Sequence, residues 1–220
     1  MSGSPRGRVC VLLVDDHAVV RAGYRTLLQD SAVEVVGEAA DAKAACAQYV
    51  ALRPDVVVMD LSLPGAGGFE AIRRILARNP EARILVFSIH EDVAFVEQAL
   101  RAGAKGYITK NSAAEILVEA VCEVARGQMY LDRRLAQVLA LRQTHGQMGV
   151  LSSLSVREFE IFCLLAEGLA PAEVARQLSL SQKTVANYGT QIKRKLNVHS
   201  TGELVHLAIR NGVVKGSSPE

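Results

Sequence analysis

Paired cysteines are missing from this chain. The four it has, Cys10, Cys46, Cys122 and Cys163, are scattered, and no two stand in a ligand spacing such as Cys-x-x-Cys. Each falls in or beside an apolar segment, which excludes a disulfide framework or thiolate cluster and marks them as small buried residues of a reducing compartment. No run reaches the roughly 18 apolar residues of a membrane span, and residues 1–8 are short, polar and Gly/Pro-containing. A cytoplasmic location without a membrane partner is expected. No G-x-x-x-x-G-K-[ST] loop is present, and Gly65-Ala66-Gly67-Gly68 has the wrong spacing for one, so a nucleotide site is unsupported. A large excess of one charge is also absent, the formal net charge being +2. Residues 1–127 carry 14 basic and 16 acidic side chains and residues 128–220 carry 11 and 7, a mild basic bias compatible with a nucleic-acid partner in the second half.

What is present is apolar and ordered by period. A hydrophobic content of 50% in 220 residues supports one large or two modest cores. Val9–Val14 is a continuous apolar run ending in Asp15-Asp16, and Asp55–Asp60 repeats the arrangement. Such runs are strands buried on both faces. Val33–Gly37, Arg83–Phe87 with Ser88 at its end, and Gly106–Ile108 with Lys110 just beyond complete a set of five. Amphipathic segments alternate with them at 18–29, 41–52 (Asp41 as N-cap), 69–78, 92–102 and 113–126. Five rounds of strand then helix predict a doubly wound, five-stranded parallel sheet of α/β class, because parallel neighbours need crossovers. Beyond residue 150 no strand-like run occurs. Four short helices are expected at 155–167, 171–178, 182–196 and 201–209, with Ser155 and Glu158 forming a capping box, Ser181 and Ser200 as further caps, and Pro171 opening the second. The expected organisation is a domain at 8–127, a partly helical linker at 128–149 and a smaller all-α domain at 150–214.

In open parallel sheets, chemistry gathers beyond the carboxyl ends of the strands. Asp15, Asp16, Asp60, Ser88 and Lys110 all fall there, and His17 stands beside the rim. Carboxylates crowded on one rim repel unless a cation joins them, and an all-oxygen set suits Mg²⁺. Asp16 and Asp60 are the expected direct ligands, Asp15 binds directly or through water, and the Ser62 backbone carbonyl is a further candidate. The metal lowers the charge around Asp60, so that its carboxylate can attack phosphorus and form an acyl phosphate. Lys110 would neutralise one phosphoryl oxygen and Ser88 would donate to another.

Together Val11-Leu12-Leu13-Val14-Asp15-Asp16-His17, Val58-Met59-Asp60-Leu61-Ser62-Leu63-Pro64-Gly65, Ser88 and Gly103-Ala104-Lys105-Gly106-Tyr107-Ile108-Thr109-Lys110 resemble the flavodoxin-like receiver domain of bacterial two-component response regulators. Leu154-Ser155-Val156-Arg157-Glu158, Ser179-Leu180-Ser181-Gln182-Lys183-Thr184-Val185 and Lys195-Leu196-Asn197-Val198 look like the LuxR-type helix-turn-helix output domain. The whole is similar to the NarL/FixJ class over residues 8–212. The resemblance implies that Asp60 takes its phosphoryl group from a sensor histidine kinase, that Ser88 and Tyr107 form the switch pair, and that the chain is not otherwise an enzyme. It also implies transcriptional control through double-stranded DNA, with a homodimer forming on phosphorylation or on DNA. Asn111 stands where many relatives have proline, which leaves open whether the Lys110–Asn111 peptide is cis.

Leu178, Val185, Ile192 and Leu196 make a buried stripe, with Gly189 expected to permit a close helix contact. The opposite arc presents Lys183, Ala186, Asn187, Thr190, Gln191 and Arg194, suited to a major groove. Thr184, Tyr188, Lys193 and Lys195 are further candidates, the lysines for phosphates. Two other functions fit the same residues less fully. One is an atypical regulator acting through protein contacts, since Ala186 and Tyr188 replace the lysine and histidine common in relatives. The other is a Mg²⁺-dependent phosphatase or phosphotransferase acting on a small molecule.

Overall fold

The computed structural model describes residues 7–65, 67–112, 114–144 and 149–214. Ala66 of the glycine-rich turn, Ala113 and residues 145–148 of the aperiodic linker stretch lie outside the described residues. The chain divides into two compact units, residues 1–89 with 102–132, and residues 90–101 with 133–220.

The first unit is built on a parallel sheet. Its strands are β1 (Val9–Val14), β2 (Val33–Ala39), β3 (Val56–Met59), β4 (Ile84–Ser88), β5 (Gly106–Thr109) and β6 (Tyr130–Leu131), in the order β2-β1-β3-β4-β5-β6. Helices α1 (Ala18–Leu28), α2 (Ala42–Leu52), α3 (Gly67–Arg78) and α5 (Ala114–Ala125) supply crossovers. Strands β3 and β4 are buried at every position. Burial on both faces is why they read as continuous apolar runs rather than alternating ones. Val11, Leu13, Val56, Val58, Leu85, Phe87 and Ile108 pack with Leu117, Val121 and Val124 of α5 in one core cluster. Asp41 caps α2, accepting from the Ala44 amide at 2.8 Å.

Two features depart from the expected five-round pattern. The sheet has six strands, not five, because β6 pairs with β5 through Gly106 and Tyr130. A Cβ on Gly106 would lie 2.7 Å from the Tyr130 carbonyl oxygen, so glycine is required for that approach. Two residues carry no periodic signal, and the segment therefore reads as linker. The expected fourth crossover helix does form, as α4 (Val93–Arg101), but it groups with the second unit rather than with the sheet.

The second unit contains α4, α6 (Arg133–Thr144), a 3-10 turn at Val150–Ser153, α7 (Val156–Ala166), α8 (Pro171–Gln177), α9 (Gln182–Leu196) and α10 (Thr201–Arg210). Ser155 and Glu158 form the reciprocal capping box at the start of α7. Ser181 caps α9 by accepting from the Thr184 amide at 3.0 Å. Ser200 caps α10, and the Glu203 carboxylate accepts instead from the His199 amide, one residue earlier than a capping box requires. The stripe of Leu178, Val185, Ile192 and Leu196 is buried, with Phe159, Phe162, Val174 and Leu204 completing the core of this unit.

Candidate functional site

The parallel register brings the strand tips together. Val14 pairs with Met59, Met59 with Val86, and Ser88 with Thr109. The ladder runs one residue beyond each strand, since the amides of Asp15, Asp60 and Lys110 donate to the carbonyls of Ala39, Val14 and Ser88 at 3.0, 2.9 and 2.8 Å. Rigid backbone thus fixes three residues whose side chains meet. The Lys110 ammonium donates to Asp15 Oδ2 and to Asp60 Oδ2, each at 2.6 Å. Asp60 is 2% exposed and Asp15 4%. Burial alone would lower the pKa of Lys110, but the hydrogen bonds to Asp15 and Asp60 outweigh it and hold the ammonium above the ordinary lysine value.

The remaining oxygens are ordered locally. Asp60 Oδ1 accepts from the Ser62 amide at 3.1 Å, and Asp15 Oδ1 accepts from the His17 amide at 2.8 Å. Arg21 donates to the Asp15 carbonyl at 2.6 Å and to Glu38 at 3.1 Å, which anchors the end of β1. His17 Nδ1 lies 2.8 Å from Asp16 Oδ1 and 3.4 Å from Asp15 Oδ1. Asp15, Asp16 and His17 can each offer one ligand atom such that all lie within 4.8 Å of one another. His17 is therefore on the rim, as its position after the two acids implies. Ser88 and Tyr107 are both fully buried, on adjacent strands. Among the described residues no peptide is cis, and Lys110–Asn111 is trans.

One residue of the site escaped the sequence reading. Gly68 is the second residue of α3, and its amide donates to the Leu61 carbonyl at 3.2 Å. A Cβ there would stand 2.2 Å from the Asp60 carbonyl oxygen and 2.6 Å from Leu61 Cα. Gly68 thus lets the helix seat against the backbone of Asp60 and Leu61. The signal was visible as Gly67-Gly68 opening an amphipathic helix, where flexibility alone has no use.

On α9, Lys183, Ala186, Asn187, Thr190, Gln191 and Arg194 are exposed, and Thr184 and Tyr188 are half-buried. Thr190 Oγ1 donates to the Ala186 carbonyl at 3.1 Å. Lys195 is placed differently from its neighbours, its ammonium donating to Glu158 Oε2 at 2.6 Å. Burial alone would raise the Glu158 carboxyl, but the bonds from Lys195 and Ser155 outweigh it and hold it below the ordinary range. Gly189 corrects an expectation. A Cβ there would find its nearest neighbour, Leu165 Cδ1, at 4.0 Å, so no close helix contact requires glycine. The space belongs to a hollow of about 200 Å³ lined by residues including Leu165, Val185 and Leu204.

Acids and an ammonium converging at the tips of a parallel sheet, followed in the same chain by a helical unit with an exposed polar helix, define a receiver joined to a helix-turn-helix. Comparison with known proteins agrees in both parts. The family model for the response regulator receiver domain matches residues 11–122, and that for bacterial regulatory proteins of the luxR family matches residues 152–208. The response regulator UvrY of Escherichia coli K12 is 40% identical over 206 residues, covering 92% of this chain and 94% of that protein. The transcriptional activator protein ExaE of Pseudomonas putida is 42% identical over 209 residues, covering 93% and 98%. Among solved structures, RcsB of Salmonella enterica serovar Typhimurium, bound to promoter P1flhDC with the phosphomimetic BeF3-, superimposes with a TM-score of 0.73 at 27% identity, covering 91% of this chain and 98% of that one. The chain belongs to the response regulator family, with a receiver followed by a luxR-family regulatory domain. It is a phosphoacceptor and not an enzyme in the usual sense.

Proposed function

We propose that Asp60 accepts a phosphoryl group from a phosphohistidine of a separate sensor histidine kinase, and that the acyl phosphate controls DNA binding by α9 and hence transcription. The observation that carries this reading is the Asp60 carboxylate, 2% exposed and held by Lys110 at 2.6 Å beside the Asp15, Asp16 and His17 cluster. An Asp60 oxygen forms the new bond to phosphorus as the P–N bond breaks, and the imidazole nitrogen keeps the electron pair. Hydrolysis by water returns the carboxylate and releases inorganic phosphate.

The oxygen-rich donor set fits Mg²⁺, with Asp15, Asp16, Asp60 and the Ser62 carbonyl as its holders. When bound, the ion neutralises charge between carboxylate and phosphoryl oxygens. Lys110 is already in place to balance one phosphoryl oxygen, and Ser88 is the donor for another, with Tyr107 as its switch partner. The domain limits of this reading are 8–127, 128–149 and 150–214, and its place of action is the cytoplasm. No helix among the described residues is long and apolar enough to cross a membrane.

For DNA, Lys183, Thr184, Ala186, Asn187, Tyr188, Thr190, Gln191 and Arg194 form the reading face, with Lys195 at its end. Asn187 and Gln191 can pair with adenine, Ala186 can meet a thymine methyl, and the cations serve phosphates. The promoter-bound state of RcsB supports the same use of this fold. A small helical unit offers limited interface, so a homodimer on adjacent half-sites is part of the reading. Footprinting of the full chain with and without acetyl phosphate, alongside Asp60→Ala, tests it. Phosphoryl-dependent protection that Asp60→Ala abolishes is expected, and identical occupancy in every sample would refute phospho-control.

A further inference from the structure

The fold gives Gly189 no reason to be glycine. It stands in the middle of α9 (Gln182–Leu196), and glycine is the poorest helix former after proline. Two ordinary reasons for tolerating it are absent. Its φ lies outside the left-handed region, and an added Cβ would find nothing nearer than Leu165 Cδ1 at 4.0 Å. What the missing side chain does is leave space, since Gly189 lines the hollow of about 200 Å³ in the second unit.

That hollow has two chemical ends. Val185 and Leu204, each 1% exposed, form its floor with half-buried Leu165, while Thr190, Lys193 and Thr201 stand toward solvent. Lys193 is the one charged residue of this lining. Its neighbour Lys195 is committed to Glu158, whereas Lys193 has no ion pair among the described residues. The Thr201 hydroxyl likewise makes no hydrogen bond among the described residues. Thr190 differs, because its hydroxyl already donates to the Ala186 carbonyl at 3.1 Å.

Size and charge together limit the occupant. An apolar cavity of about 150 Å³ accepts benzene, so a somewhat larger one admits an apolar body of about seven or eight carbons. One ammonium balances one negative charge, which suits a carboxylate, whereas a phosphate monoester carries nearly twice that at neutral pH. The Lys193 ammonium can donate to one carboxylate oxygen and the Thr201 hydroxyl to the other.

We propose that the hollow beside Gly189 binds a small carboxylate with an apolar body, the charged end at Lys193 and Thr201 and the body against Leu165, Val185 and Leu204. Gly189 keeps the volume open at a cost in helix propensity. The site lies wholly within the second unit and needs neither Asp60 nor DNA.

Phenylacetate is a probe of this class, and phenylacetamide is its neutral counterpart of the same shape. NMR of the methyl-labelled full chain, titrated with phenylacetate, should show saturable shifts at Leu165, Val185 and Leu204, with NOEs from the ring to the same methyls. Gly189→Leu fills the hollow and should abolish both. Lys193→Gln, and phenylacetamide with the unmutated chain, should each weaken binding about five-fold, the effect of losing one charge-assisted contact at a half-buried position. No saturable shift up to about 10 mM, the range for a ligand of about ten heavy atoms, overturns the site. NOEs to other methyls, or full affinity in a folded Gly189→Leu chain, overturn it equally. Undiminished binding of phenylacetamide, or of phenylacetate by Lys193→Gln, overturns the carboxylate assignment. The NOEs in the unmutated chain keep the test decisive if Gly189→Leu folds poorly.

Discussion

Replacing glycine by alanine at two helix positions should give effects of opposite sign. Gly189 is in the interior of α9, with the nearest neighbour of an added Cβ at 4.0 Å and a hollow of about 200 Å³ beside it. Alanine gains about 1 kcal/mol of helix propensity. A buried methyl is worth about 0.8 kcal/mol, and the half-buried position retains roughly half of that. Gly189→Ala should therefore stabilise the second unit by about 1–1.5 kcal/mol, a Tm rise on the order of 5–10 °C for a unit of this size. Gly68→Ala gains the same propensity but drives a Cβ to 2.2 Å from the Asp60 carbonyl oxygen and 2.6 Å from Leu61 Cα. Backbone atoms cannot swing aside as a side-chain end can, so α3 or the Asp60 loop must shift, at a cost of about 1–3 kcal/mol. Calorimetry of the full chain reads both transitions, and phosphoryl uptake on Asp60 should slow in Gly68→Ala alone. A destabilised Gly189→Ala, or a Gly68→Ala chain with normal stability and uptake, would refute the packing assigned to these helices.

Lys110→Met should destabilise the first unit by about 3–5 kcal/mol in urea titrations without divalent ions, because it strands two buried carboxylates, and Mg²⁺ should recover part of the loss. Arg194→Met and Lys195→Met should each reduce the slope of log affinity against log salt by about 0.9, the value for one lost phosphate contact, and Lys195→Met alone should also lower stability, since its ammonium pairs with Glu158 as well. Glu158 titrates below the ordinary range when folded. Its contribution is therefore complete above the unfolded value of about 4.3 and is lost as pH falls through the lower folded value. Glu158→Gln should flatten that acid-side dependence in denaturant midpoints of the second unit, and an unaltered profile would contradict the pairing.

How much was legible in the sequence varies with the kind of signal. Strands β1 and β3 were readable because burial on both faces leaves a continuous apolar run closed by an acid, and helices α7, α9 and α10 because caps mark their starts. The convergence of Asp15, Asp60 and Lys110 followed from topology, since parallel strands must present their carboxyl ends on one rim. Strand β6 was not readable, for two residues have no period and the cause lies in Gly106, far along the chain. The allegiance of α4 was equally hidden: an amphipathic helix after a strand looks like any crossover, and its attachment depends on Gln98 meeting carbonyls more than fifty positions away. Gly68 and Gly189 show the limit most clearly, since the same residue type is required at one site and dispensable at the other, and only the neighbouring atoms distinguish them.

The most direct test of the central claim is to expose the folded full chain to acetyl phosphate and Mg²⁺, trap the acyl phosphate by borohydride reduction, and map the modified residue by peptide mass spectrometry. Modification at Asp60, requiring Mg²⁺ and absent from Asp60→Ala, is the expected result. A folded chain in which Asp60 stays unmodified, or in which another side chain carries the label, would contradict it.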